Sequence, residues 1–230
     1  MATRHPHNPN LTLVEDTEWN GLPLLPKHSP YIEQYLERTL ETMKKAVDRY
    51  RRTTAIRFDL RIPVDFPEPD SSVISSFFES LQAKINAHQL RKARQGQRVH
   101  SCELRYVWAR EQNRSRHRHY HCCILLNGDA YRYLGAFSPN GHPEEEERIA
   151  AENMSGRIRS AWCSALRLPW AEGKGLVHFP SNGTYYIDAN SMTILDRYVD
   201  LFRRLSYFAK AETKRYGDGS NSFGLSLIHI

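Results

Sequence analysis

Three histidines at alternate positions are the residues of this sequence best suited to chemistry. His117, His119 and His121 open a segment, 117–127, that continues into the apolar run Cys-Cys-Ile-Leu-Leu. This segment predicts a β-strand, on which side chains two residues apart leave the same face. Neutral imidazole is a common metal ligand, and two neighbouring imidazoles on one strand face can converge on a single divalent cation. The pattern therefore predicts a metal site on this strand.

Glu111 is the nearest candidate for an oxygen ligand. It closes a preceding predicted strand, 99–110, and a polar segment joins the two strands. We expect an antiparallel hairpin that brings Glu111 near the start of the histidine strand. Two imidazoles and a carboxylate suit Mg²⁺ or Mn²⁺ bound together with a substrate phosphate, or a transition metal. A structural zinc site using Cys122 or Cys123 is the competing hypothesis, which is disfavoured because adjacent strand residues point to opposite faces.

A tyrosine among cations is the second candidate for chemistry. The last predicted helix spans 191–216, and apolar residues occupy the face opposite Tyr207. Four cations lie within about 60° of Tyr207 on a helical wheel: Arg203, Arg204, Lys210 and Lys214. A phenol, with a pKa of about 10, is a useful nucleophile only where its oxyanion is stabilised. Nearby lysines or a metal would supply that stabilisation, whereas the alternative interpretation is a boundary tyrosine on a basic surface.

The elements that must position these residues predict an α+β protein. We expect helices over 29–51, 71–91, 143–162 and 191–216, and strands over 54–62, 99–110, 117–127, 176–179 and 185–187. The first helix is expected to begin at Ser29-Pro30, with the serine as its cap and the proline in its first turn. This order lacks regular βα alternation, so it predicts a central antiparallel sheet flanked by helices. Residues 1–28 are polar and aperiodic, and we expect them to form a loose leader.

Charge indicates a polyanionic partner. The chain has a net charge of +6, and the segment 91–118 contains nine Lys or Arg against two acids. A localised basic stretch of this kind favours nucleic acid. Three aromatic residues lie near this stretch in sequence: Tyr106, Trp108 and Tyr120. They would either stack on bases or belong to the hydrophobic core, and for Trp108 we favour the core.

Composition and apolar segment length exclude the secreted and membrane classes. No apolar run approaches the roughly 20 residues of a membrane helix, and the N-terminus lacks the apolar core of a signal peptide. Four cysteines, two of them adjacent, do not make a disulfide framework in a chain of 230 residues. We therefore expect a protein of a reducing cytoplasm that does not bind membranes.

Taken together, these motifs resemble those of the HUH endonucleases. The two main motifs of that superfamily are matched in order and spacing by His119-Tyr-His121 and, downstream of it, Tyr207-Phe-Ala-Lys210. A less specific motif that precedes these two is matched by Phe58-Asp-Leu60. The sequence around them, Tyr106-Val-Trp-Ala-Arg-Glu111 above all, is most similar to the inovirus-type replication proteins, the YagK/YfjJ C-terminal domain family. The resemblance covers residues 50 to 224 and implies a palm of the RNA-recognition-motif kind.

The resemblance also implies roles for individual residues. His119 and His121 would ligate the metal, with Glu111 as the third ligand and His117 competing for that place. Tyr207 would be the nucleophile and Lys210 its electrostatic partner.

The implied activity is metal-dependent nicking and joining of single-stranded DNA at a replication origin, which starts rolling-circle replication of a phage or mobile element in a bacterial host. Host replication proteins are further candidate partners. The DNA would be gripped by basic residues of two segments: Arg114, Arg116, Arg118, Arg203, Arg204 and Lys214. A non-enzymatic DNA-binding regulator or replication accessory on the same fold is the alternative.

The endonuclease-like domain is expected over 52–224, followed by a non-native tail over 225–230. Leu-Ser-Leu-Ile-His-Ile resembles the translation of a transposon-end adapter used in sequencing libraries, although a genuine strand would also fit its alternation.

Overall fold

A central antiparallel sheet organises the protein, which the computed structural model describes over residues 3–66, 70–111, 118–135 and 143–226. The N-terminal elements are β1 (Thr3–His5), β2 (Asn8–Val14), β3 (Glu18–Trp19), β4 (Leu22–Pro23), β5 (Tyr31–Ile32) and α1 (Glu33–Arg49). The elements that follow are β6 (Arg52–Leu60), α2 (Val73–Arg94), β7 (Arg105–Glu111), β8 (His119–Asn127), α3 (Pro143–Ala150), α4 (Met154–Leu166), α5 (Trp170–Gly173), β9 (Val177–His178), β10 (Thr184–Asp188), α6 (Ile194–Leu205) and β11 (Phe223–Leu225). The predicted α+β fold class, with helices flanking an antiparallel sheet, is confirmed.

Strand β8 lies at the centre of this sheet. The strand order is β10-β6-β8-β7-β11, with β9 also paired to β6, and all of these pairings are antiparallel. The predicted hairpin is confirmed, because β7 pairs with β8 so that Glu111 lies opposite His119. On its other side β8 pairs with β6, which sets Asp59 opposite His121. Residues from three strands therefore meet at one end of the sheet.

Alternation along the strands divides the side chains between two cores. Phe58, Trp108 and Cys122 belong to the core beneath α2 and α4, whereas Ala109 and Cys123 belong to the core beneath α1 and α6. The adjacent cysteines thus point to opposite faces, as β geometry requires. Both are free thiols, and burial raises the pKa of each well above its ordinary value. They belong to the packing of the two cores.

The third predicted helix is two helices. Asn153 interrupts it with an extended backbone and caps α4, its side chain accepting a hydrogen bond from the Gly156 amide at 2.9 Å. Gly156 allows the chain to turn this tightly, since a Cβ there would meet the carbonyl oxygen of Ala150 at 1.9 Å. Within the described ranges, none of the helices combines the length and apolar character needed to cross a bilayer.

The last helix is shorter than predicted. It ends at Leu205 and continues as a 3₁₀ turn over Ser206–Ala209, so the expected helix over 191–216 is wrong in its C-terminal half. Contacts with the N-terminal segment explain the change. The Leu25 amide donates to the Ser206 hydroxyl, and the Ala211 amide donates to the Pro30 carbonyl. These bonds draw the chain away from the helix axis.

The N-terminal segment is not a loose leader. Strands β1, β2 and β5 form a three-stranded sheet, and β3 pairs with β4. Because Tyr31 and Ile32 are extended to pair with β2, helix α1 begins at Glu33 rather than at the predicted Ser29-Pro30. At the other end, β11 pairs with β7 through Leu225, and the Ser226 amide donates to the Tyr106 carbonyl. The sheet thus includes the first residue of the expected tail, and a backbone hydrogen bond connects the second to β7.

Replacing Trp19 tests whether the N-terminal segment belongs to the folded unit. The indole is buried and stacks on Phe202 of α6, with ring centroids 6.1 Å apart. Trp19→Ala should lower the free energy of unfolding by about 3 kcal/mol, the cost of removing a buried aromatic side chain. Met192→Ala, at a fully exposed position, should change it by less than about 0.5 kcal/mol. Chemical denaturation measures both, and equal effects of the two substitutions would contradict this packing.

Candidate functional site

Glu111, His119 and His121 form a cluster able to hold a metal ion. One ligand atom from each lies within 4.8 Å of the others. The two Nε2 atoms are 3.2 Å apart, and Oε2 of Glu111 lies 3.1 Å from Nε2 of His121 and 3.8 Å from Nε2 of His119. The strand alternation and hairpin register described above produce this convergence. The structure therefore brings together three of the four ligands considered; the fourth, His117, lies outside the described residues.

Asp59 orients one of these histidines. Its Oδ1 lies 2.6 Å from Nδ1 of His121, which leaves Nε2 of that ring facing Glu111. Arg57 and His178 also contact the Asp59 carboxylate, at 3.1 and 3.3 Å. Burial raises the pKa of Asp59, but the hydrogen bond and charge of His121, with the charge of Arg57, outweigh it and lower the pKa to about 2. An ionised carboxylate behind a metal-binding imidazole fixes its tautomer and orientation.

Two buried lysines surround Glu111. Lys210 Nζ lies 2.9 Å from Oε2, and Lys214 Nζ lies 3.6 Å from Oε1. Burial raises the pKa of Glu111, but the bond from His121 and the charge of Lys214 outweigh it and keep the carboxylate ionised. Burial also lowers the pKa of Lys214 to about 8, against the opposing effect of Glu111. Oε1 of Glu111 is buried and has no hydrogen-bond partner among the described residues.

These properties fit a divalent cation. Metal ligands must be deprotonated, and Glu111 and His119 meet that condition here. Glu111 is ionised, and the pKa of His119 is lowered by burial and by the neighbouring His121, which favours a neutral imidazole. Oε1 of Glu111 makes no hydrogen bond among the described residues, although the Lys214 ammonium lies 3.6 Å from it. Two imidazoles and a carboxylate leave coordination positions for other ligands.

Tyr207 points into the same cluster. Its hydroxyl accepts a hydrogen bond from Lys210 Nζ at 2.5 Å and lies 3.5 Å from Oε2 of Glu111. Its ring also meets the His121 ring edge to face, with centroids 5.0 Å apart. The 3₁₀ turn explains the pairing with Lys210, because side chains three residues apart eclipse in that geometry. The expected association of the tyrosine with Lys210 is thus present, although on a 3₁₀ turn rather than an α-helix.

The N-terminal segment completes the surroundings of Tyr207. The His28 ring packs edge to face on the Tyr207 ring at 5.0 Å. Tyr31 forms a β-bridge with Lys210, and the Tyr31 hydroxyl donates to the Leu25 carbonyl. A segment expected to be loose therefore fixes the backbone that carries the tyrosine and its lysine.

The predicted DNA-contacting residues have different environments. Arg203 is exposed and Arg204 half-buried, so both remain available at the surface of α6. The prediction that Lys214 contacts DNA is wrong, because its side chain is fully buried against Glu111 and cannot reach a DNA backbone. Arg118 is also buried, and its Nη1 donates to the Ser220 hydroxyl at 3.3 Å. Arg114 and Arg116 lie outside the described residues.

Sequence reasoning assigned no role to several residues of this site. Asp59 lay within the quoted Phe-Asp-Leu motif, at a polar position of an alternating strand, which indicated only that it points away from Phe58 and Leu60. The pairing of β6 with β8 places it beside His121. His178 comes from the short strand β9 and His28 from the supposed leader. Only the pairing of β9 with β6 and the docking of the N-terminal segment bring them here, so no local pattern could have indicated them.

Comparison with known proteins identifies relatives along nearly the whole chain. The YagK/YfjJ C-terminal domain family matches residues 14–226, which include every residue of the cluster. The uncharacterized protein YagK of Escherichia coli K12 is 38% identical over 212 residues, covering 88% of this chain and 97% of that protein. The uncharacterized protein YfjJ of the same strain is 30% identical over 207 residues, covering 85% of this chain and 95% of that protein. No solved structure matches the chain.

Proposed function

The chain belongs to the YagK/YfjJ C-terminal domain family, and from the site enclosed by the matched region we propose that it is a metal-dependent enzyme that nicks and joins single-stranded DNA. It acts as an HUH-type endonuclease of the inovirus replication kind and initiates rolling-circle replication of a phage or mobile element in a bacterial cytoplasm. Its substrate is single-stranded DNA at the replication origin.

One observation carries this proposal. A phenol hydroxyl, a lysine ammonium and a Glu-His-His cluster share one carboxylate oxygen, Oε2 of Glu111, within 3.8 Å. A metal-binding cluster alone is compatible with many functions, and a tyrosine beside a lysine does not by itself indicate a particular function. Their contact combines an electrophile-binding centre with a nucleophile, which is the set that a phosphoryl transfer through a covalent intermediate requires.

The residues of the chain divide the work of this reaction. Glu111, His119 and His121 would hold Mg²⁺ or Mn²⁺, which when bound supplies Lewis-acid polarisation of the scissile phosphate. Asp59 holds His121 in the orientation that presents Nε2. Lys210 donates to the Tyr207 oxygen and so stabilises the negative charge that this oxygen gains as it loses its proton.

The bond changes balance without another reactant. The Tyr207 oxygen attacks phosphorus, a phosphotyrosine ester forms to the 5′ phosphate, and the bond to the 3′ oxygen breaks. Overall, the phenolic proton is transferred to the departing 3′ oxygen, which leaves as a hydroxyl. Attack of a 3′ hydroxyl on the ester reverses the step and joins the strands. Because the ester conserves the phosphodiester energy, joining needs no nucleotide cofactor.

An adduct assay tests the proposal. Overlapping single-stranded oligonucleotides covering both strands of the element that carries the gene are incubated with the protein and Mn²⁺. Each carries a label at its 3′ end, because that label stays on the fragment joined to the protein. We expect one oligonucleotide to give a labelled band of protein mobility on a denaturing gel, and EDTA to prevent it. DNA binding without an adduct on any oligonucleotide would instead favour a non-enzymatic DNA-binding regulator.

Charge reversal on α6 should change the salt dependence of DNA binding. Arg203 is exposed beside Tyr207 in sequence, where it can neutralise a phosphate. Arg203→Glu should flatten the plot of log affinity against log salt by about 0.7, the contribution of one phosphate contact in single-stranded DNA. Fluorescence anisotropy over a salt series measures the slope. Arg148→Glu, at an exposed position on α3, is the matched control and should leave it unchanged.

Reversing the charge of both Arg114 and Arg116, by substitution with glutamate, extends this test to the segment between the two hairpin strands. A slope that falls only with those two substitutions would move the grip on the DNA from α6 to the hairpin.

A further inference from the structure

A buried arginine without an acceptor lies beside α2, away from the candidate metal site. Arg157 belongs to the first turn of α4 and is only 3% exposed. Its Nη2 atom is buried, and within the described part of the chain the guanidinium has neither a hydrogen-bond acceptor nor an ion-pair partner. Buried charges in proteins are normally paired or hydrogen-bonded. An unpaired buried guanidinium is therefore a group that an anionic ligand would complete.

The neighbouring side chains do not supply this partner. The centre of the Tyr131 ring lies 5.6 Å from the guanidinium carbon, so the ring face attracts the charge but leaves the in-plane N–H donors without acceptors. The Tyr131 hydroxyl contacts Nδ1 of His88 at 3.0 Å. The Glu152 carboxylate is bound by Arg91, whose Nη2 lies 2.9 Å from both of its oxygens. Both the hydroxyl and the carboxylate are thus engaged with other groups.

Two further cations, from the last turn of α2, adjoin Arg157. The pKa of His88 is lowered to about 4, first by burial and then by the charges of three cations: Arg157, Arg91 and Lys92. All three therefore lie around one imidazole, which is itself uncharged at neutral pH. The acid that opposes them there is Glu152. A local excess of positive charge of this kind attracts anions.

The cations of this cluster differ in depth. The Arg91 side chain is 46% exposed and Lys92 is half-buried, whereas Arg157 is buried. An anion approaching from solvent would meet Arg91 and Lys92 first and the Arg157 guanidinium at the base. Exposed cations at the end of a helix are usually only solvated. The buried and unpaired member distinguishes this cluster from such a surface.

A phosphate group fits these donors. Arginine presents pairs of N–H groups that match two phosphate oxygens, and lysine adds a compact positive charge. Three cations and one acid leave two positive charges, which suits a phosphate with its one or two negative charges.

The cluster is separate from the candidate metal site. Ile74, at the start of α2, lies beside Tyr120, which stands between the two histidines of the metal cluster. His88 follows it on the same helix, about 21 Å further along the axis. A phosphate bound near His88 would therefore not be the scissile one.

We infer that Arg157, Arg91 and Lys92 form a binding site for a phosphate group at the C-terminal end of α2. The inference goes beyond the proposed function, because the site includes neither the metal ligands nor Tyr207 and does not require nicking. The phosphate belongs either to a free phosphate compound or to a DNA backbone, and the experiment separates these two sources.

Thermal unfolding in inorganic phosphate tests the site. Phosphate is titrated with the ionic strength held constant by sodium chloride. Binding to the folded protein should raise the Tm of the wild type by roughly 4 °C at ten times the dissociation constant. Arg157→Met keeps most of the side-chain volume and removes the charge, so phosphate should no longer raise the Tm. In phosphate-free buffer this variant should be more stable than the wild type, since a buried unpaired charge lowers stability.

Two lysines of α2 provide a matched pair of variants that leaves the buried arginine in place. Lys92→Met should weaken phosphate binding about tenfold, the effect of losing one hydrogen bond to a charged group. Lys84 is half-buried on the same helix and lies outside the cluster, so Lys84→Met should bind phosphate as the wild type does.

The binding of oligothymidylate, measured by anisotropy at fixed salt, separates the two sources of phosphate. Weaker binding to Arg157→Met than to the wild type, with competition by inorganic phosphate, would support the site and assign it to a DNA backbone. Equal binding by the two proteins, with the phosphate effect on Tm intact in the wild type, would support the site and assign it to a free phosphate compound. A wild type whose Tm does not respond to phosphate, or a response that persists in Arg157→Met, would overturn the site.

Discussion

Replacing Tyr207 by phenylalanine is expected to abolish the covalent protein–DNA adduct while leaving DNA binding and Mn²⁺ binding in place. The substitution removes only the oxygen that would attack phosphorus. Lys210, which donates to that oxygen, keeps its contact with Glu111 at 2.9 Å. The fold should therefore lose two hydrogen bonds, the one from Lys210 and the longer one to Glu111, together about 2 kcal/mol of unfolding free energy. A denaturing gel with a 3′-labelled oligonucleotide measures the adduct, and anisotropy and calorimetry measure the two binding reactions.

Other tyrosines provide the matched controls. Tyr198 lies on α6, the helix that precedes the turn of Tyr207; burial raises its pKa to about 12, and it does not belong to the metal cluster. Tyr198→Phe should form the adduct normally, as should Tyr185→Phe and Tyr216→Phe. An adduct that persists in Tyr207→Phe and disappears in one of these controls would move the nucleophile. Loss of DNA binding in Tyr207→Phe would instead show that the phenol is a binding residue.

The alternation of the histidine strand made the centre of the site predictable from sequence. A period of two fixes which side chains share a face, so His119 and His121 had to point the same way. The short polar connection then fixed the hairpin, and with it the position of Glu111 opposite His119. These conclusions depend only on geometry within one pair of adjacent strands, which local sequence determines.

The environment of Tyr207 was only partly predictable. Helical periodicity correctly associated the tyrosine with Lys210, since both α and 3₁₀ geometry bring residues three apart together. It failed for Lys214, because the helix ends at Leu205 and the chain beyond it follows contacts with residues 25 to 31. A tertiary contact between segments about 180 residues apart leaves no periodic signal in either of them. The same contact explains why the N-terminal segment was mistaken for a leader.

Buried charge was the other feature that sequence did not reveal. Four cations on a predicted polar face indicate a surface for a polyanion, and composition cannot show that two of them face inward to a carboxylate. Lys210 and Lys214 both contact Glu111, so two of these four cations belong to the electrostatics of the cluster, and Lys214 is not available to DNA. The salt dependence of DNA binding should therefore come from the cations that remain exposed, Arg203 above all.

Removing both histidines is expected to abolish the binding of Mn²⁺. His119→Ala with His121→Ala leaves Glu111 as the one member of the cluster still able to ligate, and a single carboxylate beside two lysines repels rather than attracts a cation. Isothermal calorimetry should show no binding in the double variant. His100→Ala, outside the cluster, is the control and should bind as the wild type. Unchanged binding in the double variant would contradict the metal assignment.

Single variants distinguish a loss of metal binding from a loss of folding. His121 is buried and bonded to Asp59, so its removal also leaves a buried carboxylate short of a partner. The His119 side chain is about one-third exposed and has no such bond to Asp59, so His119→Ala should keep the thermal stability of the wild type. It should nevertheless weaken Mn²⁺ binding by more than the roughly 10- to 100-fold expected for Asp59→Asn, which removes only an orienting carboxylate. A loss of binding in His117→Ala but not in Glu111→Gln would make His117 the third ligand.

The pH dependence of Mn²⁺ binding gives an independent check on His119. A proton and the cation compete for the same imidazole nitrogen, so affinity falls as pH drops through the pKa of the ligand. Burial and the neighbouring His121 lower the pKa of His119 below its ordinary value of 6.5. Protonation of His119 should therefore reduce the affinity only below pH 6.5, whereas protonation of Lys214, whose pKa burial lowers to about 8, should reduce it near pH 8 by placing a positive charge beside Glu111. Comparison with Lys214→Met separates the two effects, and a decline above pH 6.5 that persists in Lys214→Met would show that a group other than His119 sets the pH dependence.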